Sequence, residues 1–401
     1  MSLLSVEEGL RRILAHVPAP QAETVPLAQA NNRVLLTPVT ANRNQPPFAS
    51  SSMDGYAVCS DEVVIGRSIR VIGTSQAGQG FAGRIQPGTA VRIFTGAPLP
   101  NGADAVIIQE NSERDGDLVR FTARVSPGIN VRPVGNDFKS GQVLLERGMR
   151  LGAGQLLVAA AANVAELSVS RRARIAILAT GDELVPPGTE PGPDQIISSN
   201  TFGIAALLSP YAETITDIGI AADQPEALVA KLEPQLAGQS DIVVISGGAS
   251  VGDRDYLRSV LLDLGVELDF WTLAMRPGKP LMFGTRAGTL VFGLPGNPVS
   301  AMVTAEVFLK PALRKWLGFA PSQEAQLRLP LSATLPPNGP RKHYLRGTIY
   351  AAEGFSVSPC GGTDSAQTAL FARADALIIQ PENDPGMSPG TLVDVLVLNS
   401  F

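Results

Sequence analysis

The stretch Asp241–Tyr256, DIVVISGGASVGDRDY, constrains the fold of this chain more than any other. Ile242, Val243, Val244 and Ile245 form a short apolar run, rich in β-branched side chains and ended by small residues. That is the pattern of a strand buried on both faces. Ser246, Gly247, Gly248, Ser250 and Gly252 follow and are small enough to let backbone amides approach a ligand. Asp253 and Asp255 then precede an apolar-periodic run from Tyr256 to Leu264 that predicts a helix. Strand, glycine turn and helix start describe the carboxyl end of a parallel strand, where open α/β sheets bind ligands. Read as plain turn chemistry, the same residues make a tight strand-to-helix connection with Asp255 as N-cap.

One such sheet accounts for only part of 401 residues, a length that calls for about two to four domains. Forty glycines and 32 prolines point to many turns and a strong β component in the remainder. The formal net charge of −5, with basic residues scattered, argues against a nucleic-acid partner and against a polybasic membrane patch. Cys59 and Cys360 cannot build a disulfide framework and suit a reducing cytoplasm. The segment MSLLSVEEGLRRILAHV carries acids inside its apolar pattern, so it reads as an amphipathic helix, not a signal peptide. The most apolar run, Leu156–Val164, is too short to span a bilayer. Only two histidines exist, His16 and His343, which argues against a zinc site and against a Ser-His-Asp triad. The chemistry is left to carboxylates, Lys and Arg, hydroxyls and backbone amides, the groups that hold Mg²⁺ and oxyanions.

Ser5 followed by Glu8 is a capping-box pattern, and the helix it starts reads as a packing or subunit-contact element. From Thr24 onward the chain is β-like, with the loop QPPFASSSMDGYAV at 45–58, strands near 69–72, 91–94 and 105–109, and the polar loop GINVRPVGNDFKSG at 128–141. A helix at 155–163 and a strand at 167–169 precede Arg171 and Arg172, where the pattern changes to alternating strands and helices. Strands are expected at 174–178 and 214–220, with Glu183 just past the first and Asp223 just past the second. Asp223, Gln224, Pro225 and Glu226 together make Asp223 an N-cap candidate. After a strand at 266–270, MRPGKPLMFG sets Arg276 and Lys279 about a proline-glycine turn. Strands at 280–283 and 289–292 lead to GLPGNP, where Asn297 and Pro298 open a helix to about Trp316. A helix start with free amides attracts an anion; as turn chemistry alone it is merely rigid. The remaining strands, at 325–331, 341–350, 355–358, 377–380 and 392–398, fit a small antiparallel barrel or sandwich.

A sheet of this kind gathers Glu183, Asp223 and Asp255 past successive strand ends, with Arg276 and Lys279 on the following loop and amides at Gly247, Gly248 and the helix start at Pro298. Such a set holds a phosphate-bearing ligand together with Mg²⁺. There is no Walker lysine loop.

At this point the chain resembles the molybdopterin molybdenumtransferases, the bacterial molybdenum insertases similar to the E domain of gephyrin. The matching strings are SSMDGYAV (51–58), IFTGAPLP (93–100), NVRPVGNDFKSG (130–141), ATGDEL (179–184), SGGASVGDRDY (246–256), MRPGKP (275–280) and GLPGNPVSA (293–301). They follow in one order across nearly the whole chain. The resemblance implies a multidomain fold. A three-layer α/β parallel-sheet domain of molybdopterin-binding type is expected at 171–320 and a β-rich domain at 26–140. A discontinuous helical linker and dimer-contact domain is expected at 1–25 and 141–170, and a small C-terminal β-barrel at 321–401. It implies insertion of molybdate into adenylylated molybdopterin with release of AMP and a requirement for Mg²⁺. It also implies a homodimer whose clefts are shared between subunits. A molybdopterin adenylyltransferase and molybdoenzyme maturation factors are the expected further partners.

Carried over position by position, the resemblance makes Asp54, Thr95, Arg132 and Asp137 the partner's wall of the cleft. Glu183, Asp223 and Asp255 become the acidic cluster that handles Mg²⁺ and the adenylylated phosphate. Ser246, Gly247 and Gly248 border that cluster, and Arg276 and Lys279, with Pro295 and Pro298 of the rigid GLPGNP turn, would hold molybdate and pterin phosphate. Arg346 and Ser365 of the last domain would close over the ligand. Asp54, Glu183, Asp223, Asp255 and Lys279 are the residues expected to carry the chemistry. The chain departs from the family pattern at Arg276 and Thr272, where relatives carry lysine, and at Ala369 and Leu370, where paired serines are frequent. Two rival readings are a molybdopterin adenylyltransferase, which lacks the flanking domains, and a non-catalytic cofactor-binding or scaffold protein.

Overall fold

The computed structural model describes residues 3–248, 256–320, 327–351, 354–362 and 364–398. The strand Ile242–Ser246 is buried at every position. Its side chains divide strictly by parity: Ile242 and Val244 enter one core with Ile175, Ile177, Ile204, Leu208 and Val299, while Val243 and Ile245 enter a second with Leu178, Leu228, Leu232, Val260 and Leu261. A pleated strand sends successive side chains to opposite faces, so an all-apolar strand needs two covering layers. Helices Asn200–Leu208 and Pro298–Thr304 cover one face, Pro225–Pro234 and Leu257–Asp263 the other.

The sheet between these layers has the order Ala212–Ala221, Ala173–Thr180, Ile242–Ser246, Thr289–Leu294, Pro280–Arg286, Glu267–Thr272. The first four strands are parallel, and the last two run antiparallel to their neighbours. The parallel carboxyl ends therefore stand side by side along one edge: Ala221, Thr180, Ser246 and Leu294.

The first helix, Val6–His16, is capped by the Ser5 hydroxyl, which accepts from the Glu8 amide at 3.2 Å. It packs on this α/β unit. Val6 and Ile13 join its larger core, Arg12 pairs with Asp269 at 2.9 Å, and the His16 ring lies 5.6 Å from that of Phe283. The sequence expectation grouped residues 1–25 with 141–170; the helix instead buries its apolar face on the α/β unit, and only the strand Ala22–Pro26 pairs with Glu166–Ser170. A second ribbon joins Val39–Thr40 to Val143–Leu145, and Val25, Leu35, Val39, Leu145, Leu151 and Ala159 share one core. Leu27, Ala30, Leu35 and Val39 pack in that core, so most of residues 26–41, which the sequence expectation placed in the β-rich unit, pack with the linker; Val34 joins the larger α/β core and Ala41 packs with Phe138 and Ala162.

The β-rich unit is a six-stranded sheet, in order Ala105–Ile108, Gly55–Val58, Thr89–Ile93, Ser68–Ser75, Leu118–Phe121, Ser112–Asp115. The last unit orders Lys342–Tyr350, Ala376–Gln380, Leu392–Val397 and Leu327–Pro330, with Ser356–Pro359 on the other side of the first strand. A bridge between Leu331 and Val357 joins the two ends and closes the sheet into a barrel. The strand Met275–Arg276 of the α/β unit also pairs, in parallel, with Lys342 and His343 of this barrel. Among the described residues no helix is long and apolar enough to cross a membrane.

Candidate active site

The parallel carboxyl edge gathers the acids. Asp223 follows the strand ending at Ala221, and its amide donates to Asp182 Oδ1 at 3.0 Å. Burial pushes the Asp223 carboxyl up from its ordinary value, and the nearby Asp182 and Glu183 carboxylates push it further. Asp223 does not cap the next helix, as its sequence context predicted. Gln224 is the N-cap of Pro225–Pro234, with no side-chain cap bond, because the Gln224 amide closes a tight turn onto Ala222 O at 2.8 Å. Its carboxylate is left at the edge of the sheet, beside two like charges.

The glycine turn lies one strand over. Gly247 and Gly248 have φ of +102° and +62°, and a Cβ on Gly247 would stand 2.4 Å from Thr180 O. Any side chain there would force the turn off the neighbouring strand end. The Ser246 hydroxyl is 2 % exposed as a residue and accepts from Asn200 Nδ2 at 2.8 Å; the same amide donates to Gly296 O at 2.7 Å. Asn200 thereby fastens the glycine turn to the GLPGNP turn. That bond uses one acceptor site of the Ser246 hydroxyl. Asn200 was absent from the expected site; its only sequence signal was an asparagine opening a helix beside Ser198 and Ser199.

Pro295 is buried, Gly296 and Asn297 are exposed, and Pro298 is the first residue of the next helix. Asn297 holds the N-cap position without making a cap bond, and its Nδ2 donates to Ser365 Oγ at 3.0 Å. Val299 N donates to Ser365 O at 3.0 Å. The barrel unit is thus docked on the helix start by one residue using two groups. Arg346 was expected to close over the ligand. It is 6 % exposed, and its guanidinium donates to Gln367 O at 3.0 Å and Gly362 O at 2.6 Å. The charge is spent on backbone carbonyls that shape the loop presenting Ser365, so Arg346 positions that loop. Ala369 and Leu370 lie on the short helix Thr368–Phe371.

Arg276 and Lys279 are both exposed. Their turn is pressed on the helix Pro298–Thr304, where a Cβ on Gly278 would stand 2.5 Å from Thr304 Cγ2. Arg276 also faces the barrel: burial, then Arg276 and Arg341, push the His343 imidazole down to about 4. That shift keeps the imidazole uncharged near pH 7. Asp255 lies outside the described residues.

A second cluster forms on the β-rich unit. Asp54 Oδ1 accepts from the Thr95 amide at 2.7 Å and the Thr95 hydroxyl at 2.8 Å, and these bonds hold its carboxyl below the ordinary value. Gly96 N to Ser51 O at 2.8 Å and Ser52 N to Asn130 O at 2.9 Å lock the three loops together. Arg132 pairs across from Ser50, and Asp137 stands on the adjoining turn, its amide donating to Gln45 O at 2.9 Å. The expected site residues therefore fall in two groups. Among the described residues no hydrogen bond or ion pair joins 43–140 to 173–398.

Three family models match the chain: "MoeA N-terminal region (domain I and II)" over residues 4–163, "Probable molybdopterin binding domain" over 176–315, and "MoeA C-terminal region (domain IV)" over 328–398. A molybdopterin molybdenumtransferase from Nostoc sp. is 35% identical over 387 residues, covering 94% of this chain and 88% of that one. One from Haemophilus influenzae is 33% identical, covering 99% of each. The crystal structure of a molybdopterin biosynthesis moea protein from Pyrococcus horikosii superposes with a TM-score of 0.85 at 30% identity, covering 100% of both chains.

Proposed function

The chain belongs to the molybdopterin molybdenumtransferase family, and from that premise we propose that it inserts molybdate into adenylylated molybdopterin and releases AMP at the carboxyl edge of its parallel sheet. The observation that carries this assignment of the site is the crowding of Asp182, Glu183 and Asp223 at that edge, with Asp223 held above its ordinary pKa. Like charges crowded at a ligand-binding edge cost stability, and a cation brought with a phosphate offsets the cost.

The donor set suits Mg²⁺: hard carboxylate oxygens, with no sulfur or imidazole among them. Among the described residues no three His, Cys, Asp or Glu side chains are gathered closely enough to form a metal cage by themselves. Glu183 and Asp223 would therefore supply one or two oxygens, the remainder coming from ligand phosphate and water, as Mg²⁺ prefers. When bound, Mg²⁺ would supply charge neutralisation at the phosphoanhydride. The chain's own groups do the rest. The Gly247 amide already donates to Leu294 O at 3.2 Å and the Val299 amide to Ser365 O at 3.0 Å, so it is the remaining amides of the glycine turn and of the helix start after Pro298 that offer themselves to anionic oxygens. The exposed Arg276 and Lys279 offset the charge of the oxyanion. The Asn297–Ser365 bond holds the barrel over the helix start, which orients the ligand and limits water.

We read the Asp54, Thr95 and Arg132 group as the second wall of the cleft, facing the acidic edge of another subunit in a homodimer. Phe48, Met53, Ile129 and Val134, exposed by 44, 43, 50 and 45 %, surround that group and support a face that meets another surface. The test of the whole reading is AMP release from purified protein given adenylylated molybdopterin and Mg²⁺, with and without molybdate. Release that depends on molybdate supports it; adenylylation of molybdopterin from ATP, with no response to molybdate, overturns it.

A further inference from the structure

Thr180 ends the strand Ala173–Thr180, between the Asp223 turn and the glycine turn: its register partner on one side is Ala221, and its preceding residue pairs with Ser246 on the other. The residue is 4 % exposed, and its Oγ1 is one of two buried side-chain polar atoms among the described residues with no hydrogen-bond partner. A hydroxyl carries one donor and two acceptor sites, and burying it unsatisfied costs stability that an isosteric valine would not lose. Its surroundings say where it is aimed. A Cβ on Gly247 would stand 2.8 Å from Thr180 Oγ1 and one on Gly248 3.0 Å. The hydroxyl thus lies directly under the glycine turn, at a spot where both covering residues lack side chains and have positive φ. It also directly precedes Gly181, Asp182 and Glu183.

We infer that Thr180 is a ligand-binding residue, its hydroxyl donating a hydrogen bond to an oxygen of the phosphoryl group of an adenosine nucleotide seated on the Gly247–Gly248 turn. This rests on the functional reading above and adds to it a polar contact on the uncharged side of the acidic edge. A carboxylate cannot approach an anion without an intervening cation, whereas a neutral hydroxyl can. The unsatisfied state of the hydroxyl in the free protein is what makes its bond available to a ligand.

The experiment compares the wild type, Thr180→Val and Thr180→Ser. Binding of AMP with Mg²⁺, and of adenosine as a control lacking the phosphoryl group, is measured by calorimetry; the thermal midpoint is measured without ligand. Thr180→Val is expected to bind AMP about tenfold more weakly, to bind adenosine as the wild type does, and to melt at a higher temperature. Thr180→Ser is expected to regain AMP binding. A Thr180→Val protein that binds AMP like the wild type overturns the inference alone. So does one that loses AMP and adenosine equally, or that is not rescued by serine. Wild-type protein that binds no AMP overturns the nucleotide reading of the edge and this inference with it.

Discussion

The two ends of one sheet treat carboxylates in opposite ways. At the amino end, Asp241 precedes the central strand, and Arg171 and Arg174 donate to it at 2.9 and 3.2 Å while the Arg174 amide adds a bond at 2.8 Å. Burial pushes this carboxyl up, but the bonds from the two arginines outweigh it and hold the group down at about 2. At the carboxyl end, Asp223 has no cation partner among the described residues; burial and two neighbouring acids raise it. The amino end spends its charges inside the fold, and the carboxyl end keeps its charges for something brought from outside. A sheet can carry a strained edge when the opposite edge is satisfied.

Breaking the comparison at the carboxyl end has the largest expected effect. Asp223→Asn removes a like charge, so it should lower molybdate-dependent AMP release about a hundredfold while leaving the thermal midpoint unchanged or raised. A coupled assay and a melt decide it; loss of activity with loss of stability would make Asp223 structural. Because its folded pKa is raised above the ordinary 3.8, ionisation of Asp223 works against the fold. The stability difference between variant and wild type should therefore be present at neutral pH and vanish as pH falls below that value.

The amino end should answer with the opposite signs. Asp241→Asn leaves two arginines without their anion, and should destabilise by about 2 kcal/mol with turnover per folded molecule unchanged. Asp241 has a folded pKa near 2 against an ordinary 3.8, so its contribution is full above 3.8 and is lost as pH falls through about 2. Denaturant titrations of both proteins should converge over that window, and curves that stay parallel through it would show that the charge is not what stabilises this end.

A smaller effect sharpens the picture at the seam with the barrel. Asn297→Ala removes the donor to Ser365 and should raise KM about fivefold with kcat little changed, at a cost below about 1 kcal/mol in stability. Combining it with Ser365→Ala should add little further, since both remove one bond; full additivity in the double-mutant cycle would show that the two residues act separately.

Much of this was legible beforehand, for a physical reason. The strands 242–246 and 173–180 are short apolar runs buried on both faces, and the helix expected to open at Asn297 and Pro298 does so. Turn chemistry likewise marks GLPGNP. What the sequence could not convey depends on distant partners. The acid after a strand looks the same whether it caps a helix or faces a ligand, and only the turn from Gln224 to Ala222 separates the two for Asp223. Arg346 is a cation in a ligand-facing unit until its contacts with Gly362 and Gln367 are known. Thr180 carries no local signal at all, because its lack of a partner is a property of three strands together.

One earlier detail bears on how this chain can be cut. The barrel's sheet is completed by Met275 and Arg276, which are contributed from the other side of residues 321–326. Those two residues are therefore rungs of a ladder whose other rungs come much later in the chain. A protein divided at that boundary would remain zipped across the division, and its halves, expressed apart, would each retain an unmatched row of amides and carbonyls suited to the other.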